Sequence, residues 1–138
     1  MNNVAVVYWS GTGNTTAMAE AVAKGCSGKL FPSDQFDAAK VDAFDAIAFG
    51  CPSMGNEELE DSEFAPMFEA CKPKLNGKKI ALFGSYGWGD GQWMRDWYKR
   101  ADDAGANLIG DAGLMAHETP DDDVLAQCRA LGEALAKA

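Results

Sequence analysis

The chain has 138 residues and a net charge of −9, and hydrophobic residues make up 47% of it. That is one domain's length and a globular protein's composition; the negative balance sets it against nucleic acid and anionic membranes, and no apolar run reaches the roughly 18 residues that span a bilayer. Four cysteines (Cys26, Cys51, Cys71, Cys128) without CxxC spacing and a single histidine, His117, exclude a structural zinc or an iron–sulfur cluster and point to free thiols in a reducing cytoplasm.

In chain order, strand-like and helix-like segments alternate. Val4–Tyr8 is a short apolar, β-branched run that predicts a strand buried on both faces. Thr15–Cys26 has a helical period, with Met18, Val22 and Cys26 on one side. Lys29–Phe31 predicts a second strand, Ala38–Asp42 a helical turn, and Asp45–Phe49 a third strand. Residues 51–61 have no period and form a long loop. Ser62–Cys71 predicts a helix, with Pro66 near its first turn. Lys78–Phe83 predicts a strand, Gly84–Gly91 a loop, and Gln92–Asp103 a helix with Trp93, Met94, Trp97 and Ala101 inward. Asn107–Met115 is the final strand region. Thr119-Pro120-Asp121-Asp122 then opens the last helix, with threonine as the cap and proline in the first position.

Five strands alternating with helices predict an α/β fold: a five-stranded parallel doubly wound sheet with helices on both faces, in one domain over residues 1–138. Ligands of such sheets bind beyond the carboxyl ends of the strands. Three loops, 9–14, 51–61 and 84–91, leave those ends.

The first loop, Ser10-Gly11-Thr12-Gly13-Asn14-Thr15, lies between a strand and a helix. Its glycines let amides converge, its hydroxyls add donors, and the helix adds its positive end, which together make a phosphate nest. No lysine or arginine precedes Lys24, which excludes a nucleotide triphosphatase. The dinucleotide fingerprint also fails, because Thr16 stands at its third glycine position. One monoester phosphate fits.

With the first loop, two further loops, Gly50-Cys51-Pro52-Ser53-Met54-Gly55 and Phe83-Gly84-Ser85-Tyr86-Gly87-Trp88-Gly89, make the chain resemble the short-chain, clostridial-type flavodoxins over its whole length. The resemblance implies a flavodoxin-like sheet, noncovalent FMN, and one- or two-electron transfer rather than an enzyme; the acids of residues 57–63 add the expectation of a low-potential one-electron carrier shuttling between semiquinone and hydroquinone. By position, Ser10, Gly11, Thr12, Gly13, Asn14 and Thr15 would hold the phosphate. Met54 and Trp88 would cover the two ring faces. Glu57 would accept the ring N3–H, and the Gly87 and Trp88 amides would approach the N1 and O2 edge. The Gly55 carbonyl would turn toward N5, in a Gly55-Asn56 dipeptide where both residues tolerate positive φ. Ser53, Ser85, Tyr86 and Gly89 complete the pocket.

Residues 57 to 63 hold five acids, Glu57, Glu58, Glu60, Asp61 and Glu63, and no base. Most read as a solvated run. Beside a ring that becomes anionic on full reduction they disfavour that anion, and they predict docking to redox proteins with basic faces. The chain is expected to be monomeric. The alternatives are an FMN-dependent NAD(P)H or quinone reductase and a detached FMN domain of a larger reductase. Trp9 is left undecided, and His117, outside all three loops, is expected to be structural or on the surface.

Overall fold

The computed structural model describes residues 1–110 and 112–138. Its chain order is β1 (Val4–Tyr8), α1 (Asn14–Cys26), β2 (Lys29–Pro32), α2 (Ala38–Val41), β3 (Ala46–Gly50), α3 (Phe64–Cys71), β4 (Lys79–Tyr86), α4 (Gln92–Asp103), β5 (Asn107–Leu108), β6 (Leu114–His117) and α5 (Asp122–Lys137). All strands pair in parallel, in the order β2-β1-β3-β4, with β5 and β6 both on the free side of β4. This is the flavodoxin-like order of a doubly wound sheet, in which strand order reverses between β1 and β3 and opens a crevice above their carboxyl ends.

The two faces differ in what covers them. Helices α1 and α5 bury Met18, Val22, Cys128 and Leu135 on one side, against Val4, Val6, Ala48 and Phe83. Helices α3 and α4 bury Phe64, Phe68, Trp93 and Trp97 on the other, against Val7, Ile47, Phe49 and Leu82. Phe49 meets Phe68 edge-on at 5.2 Å between centroids, and Phe64 meets Trp97 at 5.5 Å, the T-shaped geometry that aromatic quadrupoles favour. α1 and α5 touch backbone to backbone. A Cβ at Gly25 would overlap the Arg129 carbonyl, and one at Gly132 would overlap the Val22 carbonyl.

Four expectations need correction. The single final strand is two short ones, and the expected range 107–115 includes Asp111, which lies outside the described residues. β4 runs three residues past its expected end, because Gly84, Ser85 and Tyr86 pair with Met115, Ala116 and His117. Gly84 is a strand residue, with the Cys51 carbonyl where a Cβ would stand. The last helix is capped by Asp121, not Thr119: the Asp121 carboxylate accepts the Val124 amide at 2.9 Å. α3 begins at Phe64, two residues late, because Glu60 holds the preceding turn open.

Candidate functional site

The three loops meet at the carboxyl ends of β1, β3 and β4. They line a cleft of about 510 Å³ with Gly11, Thr12, Asn14, Pro52, Ser53, Met54, Ser85, Tyr86 and Gly87. Glu118 and Thr119 supply its remaining wall. Those two leave the carboxyl end of β6, so a fourth loop contributes by the same topological rule as the other three. The strand signal just before the Thr119–Asp122 helix start marks that loop in the sequence. Glu118 adopts a left-handed φ of 62° and donates its amide to the Tyr86 carbonyl at 2.7 Å. His117 is exposed but stacks on Tyr86, with centroids 4.9 Å apart.

Helix α1 opens into this cleft in an unusual state. Its cap is Gly13, at φ 95°, with no side-chain bond and no acid in the first turn. Among the described residues, none accepts the amides of Asn14, Thr15 or Thr16. Every other helix carries a carboxylate at its start. Asp37 accepts the Lys40 amide for α2, Glu60 the Glu63 and Phe64 amides for α3, Glu57 the Gly91 and Gln92 amides for α4, and Asp121 serves α5. Free helical amides with the dipole behind them attract an anion, and no side chain among the described residues supplies one here.

The first loop is braced for that role. Ser10 Oγ accepts the Gly13 amide at 3.0 Å, which curls the turn. Thr12 and Asn14 face the cleft. Thr15 is buried, and its hydroxyl shares a 3.0 Å hydrogen bond with Ser85 Oγ, tying the first loop to the third. Trp9 sits behind: its indole lies against Gly11 and lines a smaller cavity with Met54 and Gly55. It is a spacer between the first and second loops.

In the second loop, Ser53 donates its amide to the Ser85 carbonyl at 3.0 Å. Met54 and Glu58 exchange both backbone bonds, at 2.8 and 2.9 Å, closing a small hairpin over Gly55, Asn56 and Glu57. The left-handed residues of that turn are Gly55 (φ 54°) and Glu57 (φ 55°), not Asn56. Met54 is 39% and Trp88 67% exposed. Two large apolar side chains left open in neighbouring loops at this sheet edge suit a flat apolar partner.

The acids are not all solvated. Glu60 is buried, and its carboxylate accepts the Ser62, Glu63 and Phe64 amides and the Ser62 hydroxyl. Burial pushes this carboxyl up, but those hydrogen bonds outweigh it and hold it below the usual carboxylate range. Glu63 accepts the Ser33 hydroxyl. Glu57 does not line the main cleft; its Oε1 accepts the Gly91 amide at 3.1 Å and the Gln92 amide at 2.8 Å. Gly89, at φ 87°, leaves the space that the Glu57 carboxyl group fills. Cys51 is buried beneath the second loop, and desolvation pushes its thiol up to about 12. That denies it nucleophilic character at neutral pH.

An uncapped helix N-terminus at the switch point of a doubly wound sheet, under an apolar-rimmed cleft, defines a mononucleotide-binding α/β protein. The sequence model of the flavodoxin family matches residues 6–132. The flavodoxin of Megasphaera elsdenii is 51% identical, covering 98% of this chain and 99% of that protein. That of Clostridium beijerinckii is 46% identical, covering 85% and 88%. The solution structure of two-electron reduced Megasphaera elsdenii flavodoxin superposes with a TM-score of 0.86 over 98% of this chain and 99% of that one. An archaeal flavodoxin, 27% identical, gives the same TM-score over 98% and 96%. The chain belongs to the flavodoxin family. It is an FMN-dependent electron carrier. No helix among the described residues is long and apolar enough to cross a membrane.

Proposed function

We propose that the whole chain is one FMN-binding domain and that it works at the more reducing of the flavin's two one-electron couples. FMN, when bound, supplies the reversible uptake and release of single electrons. The observation that carries this reading is the α1 N-terminus, the one helix start without a carboxylate of its own among the described residues. Ser10, Thr12, Asn14, Thr15 and the α1 amides bind the phosphate, on the frame given by Gly11 and Gly13. No basic side chain takes part, so hydrogen bonds and the helix dipole alone neutralise it.

Met54 and Trp88 take the two ring faces and exclude water from them, with Ser53, Ser85, Tyr86 and Gly89 shaping the walls. Gly87 and Trp88 would offer amides to the ring edge, Glu57 would offer its second carboxylate oxygen to the ring N3–H, and the Gly55–Asn56 peptide would present its carbonyl to N5. Glu57, Glu58 and Asp61 gather on the second loop and form no ion pair among the described residues; their charge opposes a further negative charge on the ring and lowers the potential. The same acids favour donors and acceptors with basic faces. Four free buried cysteines suit a reducing cytoplasm, and the carrier acts as a monomer.

Stepwise anaerobic reduction of the FMN-loaded protein, followed by absorbance, tests the reading. Two resolved one-electron steps are expected, the second well below the first in potential, with negligible direct oxidation of NAD(P)H. Fast turnover with NAD(P)H and no partner reductase would replace the carrier with a reductase.

A further inference from the structure

Two neighbouring loops carry the large exposed apolar groups, Met54 at the cleft and Trp88 next to its lining residue Gly87, and one carboxylate joins the loops. On one side, the reciprocal Met54–Glu58 bonds make residues 54–58 a closed hairpin. On the other, Trp88 lies just before α4, whose start is the cap residue Gly91 and the first helical residue Gln92. Glu57 Oε1 accepts the amides of both, at 3.1 and 2.8 Å. The left-handed backbone at Glu57 (φ 55°) and at Gly89 (φ 87°) brings the two segments together, and the carboxyl group occupies the place of a side chain at position 89. The loops' other links, Ser53 to Ser85 and Trp93 Nε1 to the Cys51 carbonyl at 3.2 Å, lie lower, at the strand ends.

We infer that Glu57 is a positioning residue: its carboxylate fastens the Met54 hairpin to the Trp88 loop through the start of α4, and so fixes the spacing of the two apolar walls. The purpose of that spacing rests on the ring placement proposed above; the clamp itself does not. A carboxylate holding two amides makes charge-assisted bonds, and its geometry requires the full glutamate length. The second carboxylate oxygen, Oε2, takes no part in the clamp.

The test is amide exchange at Gly91 and Gln92, read by NMR on the full chain with and without FMN, alongside FMN dissociation constants. Glu57→Ala removes the clamp. Glu57→Asp keeps the charge but withdraws it by one methylene. Glu57→Gln keeps an acceptor of the right length. Exchange at both amides should be about tenfold or more faster in the Ala and Asp variants and within about threefold of the parent in Gln. FMN should bind about tenfold or more weakly to both Ala and Asp. Unchanged exchange in Ala and Asp, or a Gln variant indistinguishable from Ala, overturns the clamp even where FMN affinity falls. Failure of the parent chain to take up FMN would instead overturn the functional reading, and the exchange rates would still judge the clamp.

Discussion

Glu60→Gln tests whether the acidic loop is structural as well as electrostatic. In the parent, one carboxylate oxygen accepts the Glu63 and Phe64 amides, both at 2.8 Å, and the other accepts the Ser62 amide at 2.9 Å and the Ser62 hydroxyl. A glutamine has one acceptor oxygen. Its best orientation turns that oxygen to Glu63 and Phe64 and its NH₂ to Ser62, whose hydroxyl can rotate to accept; the Ser62 amide then loses its partner. Losing one hydrogen bond to a charged group costs about 1.5 kcal/mol, and losing the charge at the α3 start about 0.5 kcal/mol. The sum, about 2 kcal/mol, corresponds to a Tm lower by about 6 °C and a urea midpoint lower by about 1 M. The assay is urea unfolding of the FMN-loaded protein at fixed FMN excess, repeated down the pH scale. The folded-state pKa is depressed, so the carboxylate's stabilisation is fully present above the unfolded value of about 4.3 and is lost as pH falls through the folded value. The gap between parent and variant should therefore be constant near pH 7 and close in acid. An unchanged midpoint at pH 7, or a gap that widens as pH falls, would refute the reasoning.

Gly132→Ala should lower stability by about 2 kcal/mol in thermal unfolding, because about 3 kcal/mol of backbone overlap with Val22 outweighs about 1 kcal/mol of helix propensity; an unchanged Tm would show that α1 and α5 can part freely. Gly55→Val puts a β-branched residue at φ 54°. It should reduce the long-wavelength absorbance that accumulates between the two reduction steps, and an undiminished band would remove Gly55 from the N5 role. Burial pushes the thiols of Cys51 and Cys128 up to about 12 and that of Cys71 to about 11, and raises that of Cys26. Native protein should resist iodoacetamide at pH 8 and take up four equivalents once denatured, with native reactivity appearing only as pH climbs toward those values; rapid labelling of any one thiol at pH 8 would contradict its burial.

The sheet was legible because its strands are short apolar runs and its helices keep a 3.6-residue stripe. The first loop was legible because the lack of a base left only dipole and hydrogen bonds for a phosphate. What escaped is partly pairing between distant segments and partly the local choice of which acid serves a helix start. Gly84 looks like a loop residue until β6 and the Cys51 carbonyl close around it. Glu57 reads as a ring-edge acceptor, and its second role appears only when the Gly91 and Gln92 amides, 34 and 35 residues away, come within reach; Glu60 reads as one of a solvated run although the amides it serves are two to four residues on. Glu118 and Thr119 have no chemical signature of their own; only strand order brings them to the cleft. Thr119 has the residue type of a cap, but Asp121 has the geometry.

The start of α1, which no carboxylate of the chain serves, has a thermodynamic consequence. Among the described residues, four of the five α-helices have a carboxylate at their start and α1 has none, so on the phosphate placement proposed above the folded state depends on the concentration of the cofactor. Anything that binds the native chain alone adds RT ln(1 + [L]/Kd) to its stability, about 2.7 kcal/mol at a hundredfold excess over Kd. The flavin pool of the cell is then a variable in this protein's lifetime as well as in its redox work, and chain made faster than flavin is supplied is the first to unfold.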